Sequence, residues 1–387
     1  DAGQANMTSA ADGTIAIGYS TLTALTSGSG NIAIGFNAGK ALVGPPGNTI
    51  LGYAALDVAT TTQYCTVIGW NAMGAIPASQ AIEYVIAIGT EAVKGSGSTT
   101  TGINGTIAIG ESAGKSLTTG VGNTLVGYAC GDAINSGQYN TVMGRHALGV
   151  ATTASGSVAI GYQTGNTIST GNQNIAIGYD AMQGGTVTGD NNIAIGVSAG
   201  DALTSGYENV LMGRDAGGAL NTGHTNALIG RNAGASMTTG KLNVSMGEDS
   251  MYYGTTVSQS VAIGKNAGAG DTGNANISVG YGAGNKDGAS GDNNIAIGVS
   301  AGDAMTSGYD NTMIGKDAGG LIANGSKNIA IGVSAGDVIT SGYQNVCIGD
   351  GTDPSTNSGN NQTAIGYGAQ GQANNSVTLG NASVTDV

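Results

Sequence analysis

A glycine that closes an IAIG-like run, always after Ile, Leu, Val or Met, returns at 22 places along this chain, from Gly18 and Gly35 through Gly213 and Gly230 to Gly366 and Gly380, and most intervals are 17 residues. A unit of that length is too short for two helices with their turns, and its apolar side is covered only when the next copy stacks on it. The spacing therefore predicts an all-β parallel solenoid of about 22 coils, a β-roll or β-helix. The run ending at each marker glycine, such as Ile15-Ala16-Ile17-Gly18, is β-branched and reads as a strand. The stretch after it, such as 199–206, fits a second strand or a single helical turn and decides neither. Coils stacked at 4.7–4.9 Å would make a rod of roughly 100 Å.

Composition supports a thin core. Gly is 72 of 387 residues without collagen's spacing of every third position, aromatics are 4%, and Phe and Trp occur once each. Charged residues are only 9% and the formal net charge is -13, so a basic footprint for nucleic acid or phosphate is missing. No apolar stretch reaches the ~18 residues of a membrane span, so no membrane insertion is expected in this segment. The N-terminal DAGQANMTSA carries neither a signal pattern nor an initiator Met, and reads as part of a processed or excerpted chain. Cys65, Cys130 and Cys347 are odd in number and widely spaced, which points to packing rather than a disulfide framework or a metal knuckle.

Each column of the repeat makes its own demand. The residue before the marker glycine is always Ile, Leu, Val or Met, and is expected to form the interior column. A small residue stands three after the marker (Ala38, Ala199, Cys130), as for tight packing, and an aliphatic one often stands seven after (Leu25, Leu117, Leu203), as for the other side of a flat core. Seven before the marker a second glycine (Gly28, Gly206) reads as a turn. Four before it 14 of the 22 copies carry Asn, which predicts a corner ladder of stacked amides. The longest intervals, around Gly69 to Gly110, predict loops at 75–83 and 94–104.

No Asp, Glu, Lys or Arg occupies the three positions before any marker glycine. A continuously apolar short strand is one buried on both faces. The middle residue (Ala16, Ile50, Ala176, Ala194, Leu211, Leu228) is accordingly expected to pack against another chain, in a parallel homotrimer.

Repeats of the form N-x-A-I-G-x-x-A, as in Asn31 to Ala38 and Asn294 to Ala301, resemble the shaft repeats of bacteriophage tail fibres and the heads of trimeric autotransporter adhesins. The resemblance implies a parallel trimeric fibre, on a virion or otherwise extracellular, that attaches to a host-surface glycan or protein receptor. Adhesin heads have a coil nearer 14 residues, matched here only by Gly366 to Gly380, and an adhesin neck and heptad stalk are missing from the sequence; both favour the tail fibre. Residues 1–370 then form the repetitive shaft, and 371–387 a terminal coil resembling the segment before a cleaved C-terminal chaperone. The alternative is a cell-surface adhesin or extracellular filament subunit. An ice-binding solenoid, a minor alternative, would need a regular Thr array, but Thr stands three before the marker in only some copies, such as Thr49 and Thr312.

Neither His146 nor His224 has metal-ligand or triad partners in its repeat, and no GK[ST] follows a properly spaced glycine, so no catalytic residue, cofactor or metal site is expected. Asp190, Asp201, Asp292 and Asp303 do not follow the GGxGxD calcium pattern. The column just after the marker is often aromatic or basic. Its aromatic members Tyr19, Phe36, Tyr53, Trp70, Tyr128, Tyr162 and Tyr179 are the candidate surface-contact residues, either for sugar rings or for shielding a seam between chains. Tyr281, Tyr367, Arg145, Arg214, Arg231, Lys265 and Lys316 share the column.

Overall fold

The computed structural model describes residues 2–3, 8–78, 80–95 and 100–386. All strands among these are three residues long and end at a marker glycine, and the sole helical element is a 3-10 turn, Ser9–Ala11. The chain divides into two units, one up to Asn192 and the other from Ile193 onward. In the first, ten strands from Ile15–Ile17 to Ile175–Ile177 pair in parallel, each with its successor. In the second, twelve strands from Ile193–Ile195 to Val377–Leu379 do the same. Equivalent residues sit opposite one another, as Ile193 does Val210 and Leu211 does Leu228. The fold is a parallel β-solenoid.

The marker glycine ends the strand because no other residue fits. Gly213 has φ 132°, and a Cβ there would lie 2.6 Å from the Gly230 carbonyl carbon of the next coil. Its N–H still donates to the Ile195 carbonyl of the preceding coil at 2.8 Å, so the ladder continues through the corner. The stretch that follows is neither strand nor helix. It is a run of turns in which Asp215 (φ 56°) and Gly217 (φ 58°) are left-handed, Leu220 N–H closes a turn on the Gly217 carbonyl at 2.9 Å, and Gly217 N–H reaches the Ala233 carbonyl of the next coil at 2.9 Å. Backbone donors on this side are therefore also satisfied between coils.

The strand columns face opposite to the expectation. Its middle residue is the buried one: Ala33, Ile50, Val67, Leu125, Leu211 and Leu228 have no exposed surface. The flanking residues face out, with Ile17 at 56%, Leu51 at 43% and Met212 at 38% exposure, and Ile195 half-buried. The interior column is thus the middle residue, and neither Ile195 nor its equivalents belong to it. The reason is parity: side chains alternate along a strand, and the residue four before the marker already points inward.

That residue forms the expected ladder of stacked amides, and it is buried. In the second unit it runs through Asn209, Asn226 and Asn243: Nδ2 of Asn226 and of Asn243 donates to the preceding Oδ1 at 3.0 Å, and all three Nδ2 groups donate to a carbonyl of the next coil at 2.7–2.9 Å. Ser260 interrupts it, and the ladder resumes at Asn276 and continues to Asn345 and Gln362. The small residue three after the marker and the aliphatic seven after are buried as expected, for example Ala199, Leu203, Ala216 and Leu220. In some coils a large residue four after the marker accompanies a small seventh residue, as Leu56 does Ala59 and Leu148 does Ala151, whereas Leu22 with Leu25 and Met73 with Ile76 are both large and buried. Where the fourth residue is glycine the space goes to neighbouring aliphatics: a Cβ on Gly114 would lie 2.7 Å from Leu125 and 2.9 Å from Leu117.

Of the loop expected at 75–83, residue 79 lies outside the described residues; Ala78 and Ala81 are exposed, but Ile76 and Ile82 are buried in the core, Gln63 bridges Glu83, and Thr66 remains opposite Ile86. Of the loop expected at 94–104, residues 96–99 lie outside the described residues; Gly95 and Thr101 on either side bond to the coil that follows, at 3.1 Å and 2.8 Å.

Candidate functional surfaces

Because strand residues one and three face outward, each unit carries an uncharged, mostly aliphatic strip two columns wide, with Thr at some first positions such as Thr49, Thr66, Thr312 and Thr363. In the second unit one column holds residues such as Ile193, Val210, Val244, Ile295 and Ile329, and the other Ile195, Met212, Ile263, Ile297 and Ile314. Several are more than a third exposed, including Met212, Met246, Ile263, Ile297, Ile314 and Ile329. With 24 outward positions in twelve strands, the strip of this unit is a long run of uncharged surface, and large exposed apolar patches mark interaction sites. The middle residues Ala176, Ala194 and Leu211, expected to meet another chain, are wholly inside their own core and cannot do so.

The aromatic column lies beside this strip in the first unit. Tyr19, Phe36, Tyr53 and Trp70 form one continuous stack, with ring centroids 5.3, 5.2 and 6.3 Å apart and planes within 14°. Tyr162 and Tyr179 stack at 5.2 Å, and the Arg145 guanidinium sits between Tyr128 and Tyr162, 5.6 and 5.7 Å from their centroids. The structure brings the seven residues together as two such groups. Their faces are turned to one another along the coil stack, so the inner rings present edges rather than faces outward. This geometry provides packing between coils; sugar stacking needs a free face, which only the ends of the stacks retain.

A second aromatic column, five or six residues before the marker, escaped the sequence reading. Tyr64 stacks on Tyr84 at 5.6 Å, Tyr207 on His224 at 4.6 Å, and Lys327 lies over Tyr309 at 5.9 Å. Its signal was the recurrence of Tyr in GY dipeptides such as Gly206-Tyr207 and Gly308-Tyr309. The other histidine, His146, meets the edge of Tyr128.

Charged side chains pair between neighbouring coils. Glu91 lies between Lys94 (2.8 Å) and Lys115 (2.6 Å), whose hydrogen bonds hold its carboxyl down at about 2. Arg231 pairs with Glu248, which also meets Lys265 at 3.5 Å. Exposed pairs of this kind are worth at most about 1 kcal/mol each. Asp271 is different: it occupies the core position where other coils carry Leu, Ile or Met, and burial pushes its carboxyl up to about 7 despite donors from Gly273 N–H (2.9 Å) and Asn276 Nδ2 (2.8 Å). Cys65, Cys130 and Cys347 are buried free thiols, raised by burial to about 11, 12 and 12, consistent with packing roles.

Among the described residues there is no group of three or more His, Cys, Asp and Glu arranged to hold a metal ion, and no helix long and apolar enough to cross a membrane. A search against models of known protein families finds no match, and neither does a search of curated proteins.

Proposed function

We propose that this chain is a structural and adhesive fibre segment of the phage tail-fibre kind, working outside the cell or on a virion, in which copies associate laterally and in parallel as a homotrimer. The observation that supports this most is the outward strand strip: mostly aliphatic, free of charge at every position in the described strands, and repeated coil after coil.

The occupant best suited to the strip is another copy of the chain. Only a partner with the same coil-to-coil spacing stays in register with ridges repeating every 17 residues, and parallel copies about one axis set each coil against its own equivalent. The number three follows the resemblance to fibre shafts. With the strip covered, the remaining faces, built from Asn, Thr, Ser, Tyr and ion pairs, are free to meet a host-surface glycan or protein receptor.

Electron micrographs of the purified protein test this reading. Averaged cross-sections with three chains around one axis are expected. Particles one chain thick would contradict it.

A further inference from the structure

One place in the second unit departs from the stacking that covers ring faces elsewhere. Tyr252 and Tyr253 are neighbours in sequence rather than coil equivalents, and their rings meet edge to face, 4.6 Å apart at 82°. They stand five and six after Gly247, where the preceding coil has Ala235 and Ser236 and the following coil Ala269 and Gly270. Two large rings between small neighbours leave a cleft of about 380 Å³ at their side, with buried Ala269 in its lining. The coil register shifts just beyond it, since the intervals from Gly264 to Gly280 and from Gly280 to Gly298 are 16 and 18 residues. Asn285 and Asp287, in the coil that follows Gly280, line the same cleft.

Polar groups with spare hydrogen-bonding capacity converge here. Asn232, Asp249 and Asn266 come from equivalent places in three successive coils and line one wall. Asn232 Nδ2 donates to Asp249 Oδ1 at 2.8 Å, which leaves the second Asp249 oxygen 3.7 Å from Arg231. Among the described residues, the side chains of Asn266, Asn285 and Asp287 have no hydrogen bond or ion pair within the chain. Tyr253 is 54% exposed. An aromatic surface beside planar amides and carboxylates is the chemistry that holds a pyranose: the ring's C–H face lies on the aromatic, and vicinal hydroxyls pair with the amides and carboxylates.

We infer that the cleft between Tyr253 and Asn285 is a binding site for an uncharged oligosaccharide. The acidic residues in its lining, Asp249 and Asp287, select against sialylated or sulfated glycans. This rests on the adhesive reading above and adds the place and chemical class of the contact.

Titration calorimetry of the full chain tests it, using maltohexaose, cellohexaose, chitohexaose and mannohexaose, with a sialylated and a sulfated oligosaccharide as anionic counterparts. At least one neutral hexaose is expected to bind. Tyr253→Ala and Asn285→Ala are each expected to weaken that binding about 10-fold or more, while Tyr253→Phe keeps it within about 3-fold. Tyr53→Ala, in the stacked column, leaves it unchanged. Asp287→Ala, on an exposed residue, supplies the same comparison should a tyrosine variant fail to fold. The site is overturned if no neutral hexaose binds, if the anionic sugars bind more tightly, or if Asn285→Ala and Asp287→Ala retain wild-type affinity. Molar mass measured on the same samples reads lateral association separately, so loss of the sugar site and loss of the fibre reading are distinguishable.

Discussion

The amide of Asn226 has all four of its hydrogen-bonding positions filled: Nδ2 donates to Asn209 Oδ1 and the Gly240 carbonyl, and Oδ1 accepts from the Asn243 backbone N–H and Nδ2. Asp in its place would stack charge on charge, and Ala would strand buried groups on both neighbouring coils. Asn226→Ala is therefore expected to cost about 3 kcal/mol or more, read from the denaturant midpoint. Gly213→Ala is expected to cost at least about 2 kcal/mol, since it adds a clash with the Gly230 carbonyl to an unfavourable backbone angle. Asp271 carries a pH dependence. Its folded carboxyl sits at about 7, raised by burial and further by the Asp292 charge, against about 3.9 when unfolded. Because the folded value is the higher one, the stabilisation is complete below about pH 4 and is lost as pH rises through 7, roughly 4 kcal/mol at most. Thermal unfolding of Asp271→Asn beside the wild type should show the variant gaining Tm relative to the parent between pH 4 and pH 8; a constant difference would mean that Asp271 is not buried as a neutral acid.

At the scale of the strand, three residues are enough because every coil repeats the same pairing. The repeat, the marker glycine, the Asn ladder and the two small-and-large packing columns were all legible, since each is a constraint that recurs at a fixed interval. Which way the strand faces was not. The largest invariant residues stand before the marker, as Ile195 and Ile297 do, and size suggested the interior. The interior is in fact too narrow, and often accepts only Ala, as at Ala194 and Ala296, whereas the outward face sets no volume limit. Taking the Asn as buried would have fixed the parity, but Asn more often faces solvent. The turn stretch was also illegible, because its left-handed position four after the marker is glycine in some coils, as at Gly217, but Leu22, Met73 or Leu148 in others. A paired substitution checks the orientation. Ala194→Asp should prevent folding by burying an unpaired charge, while Ile195→Asp should leave the single chain within about 1 kcal/mol of wild type. Circular dichroism with urea titration separates the two, and the opposite order would return Ile195 to the core.

For the whole molecule, the candidate site was legible only in part. The aromatic column was visible as a column, but the stacking that occupies its faces arises from coil spacing, and the Tyr252–Tyr253 cleft arises from two large residues where the neighbouring coils carry small ones, which leaves no recurring signal. What the molecule does depends most on whether its outward strip is covered by other copies. Light scattering with size-exclusion separation measures this directly, on the wild type and on a variant carrying Ile297→Glu, Ile314→Glu and Ile331→Glu, which lie in one column of the strip in three successive strands. The wild type is expected at three times 37.5 kDa, and the variant at 37.5 kDa with its circular dichroism retained. A folded wild type at 37.5 kDa, or a variant that keeps the wild-type mass, would contradict assembly through this face.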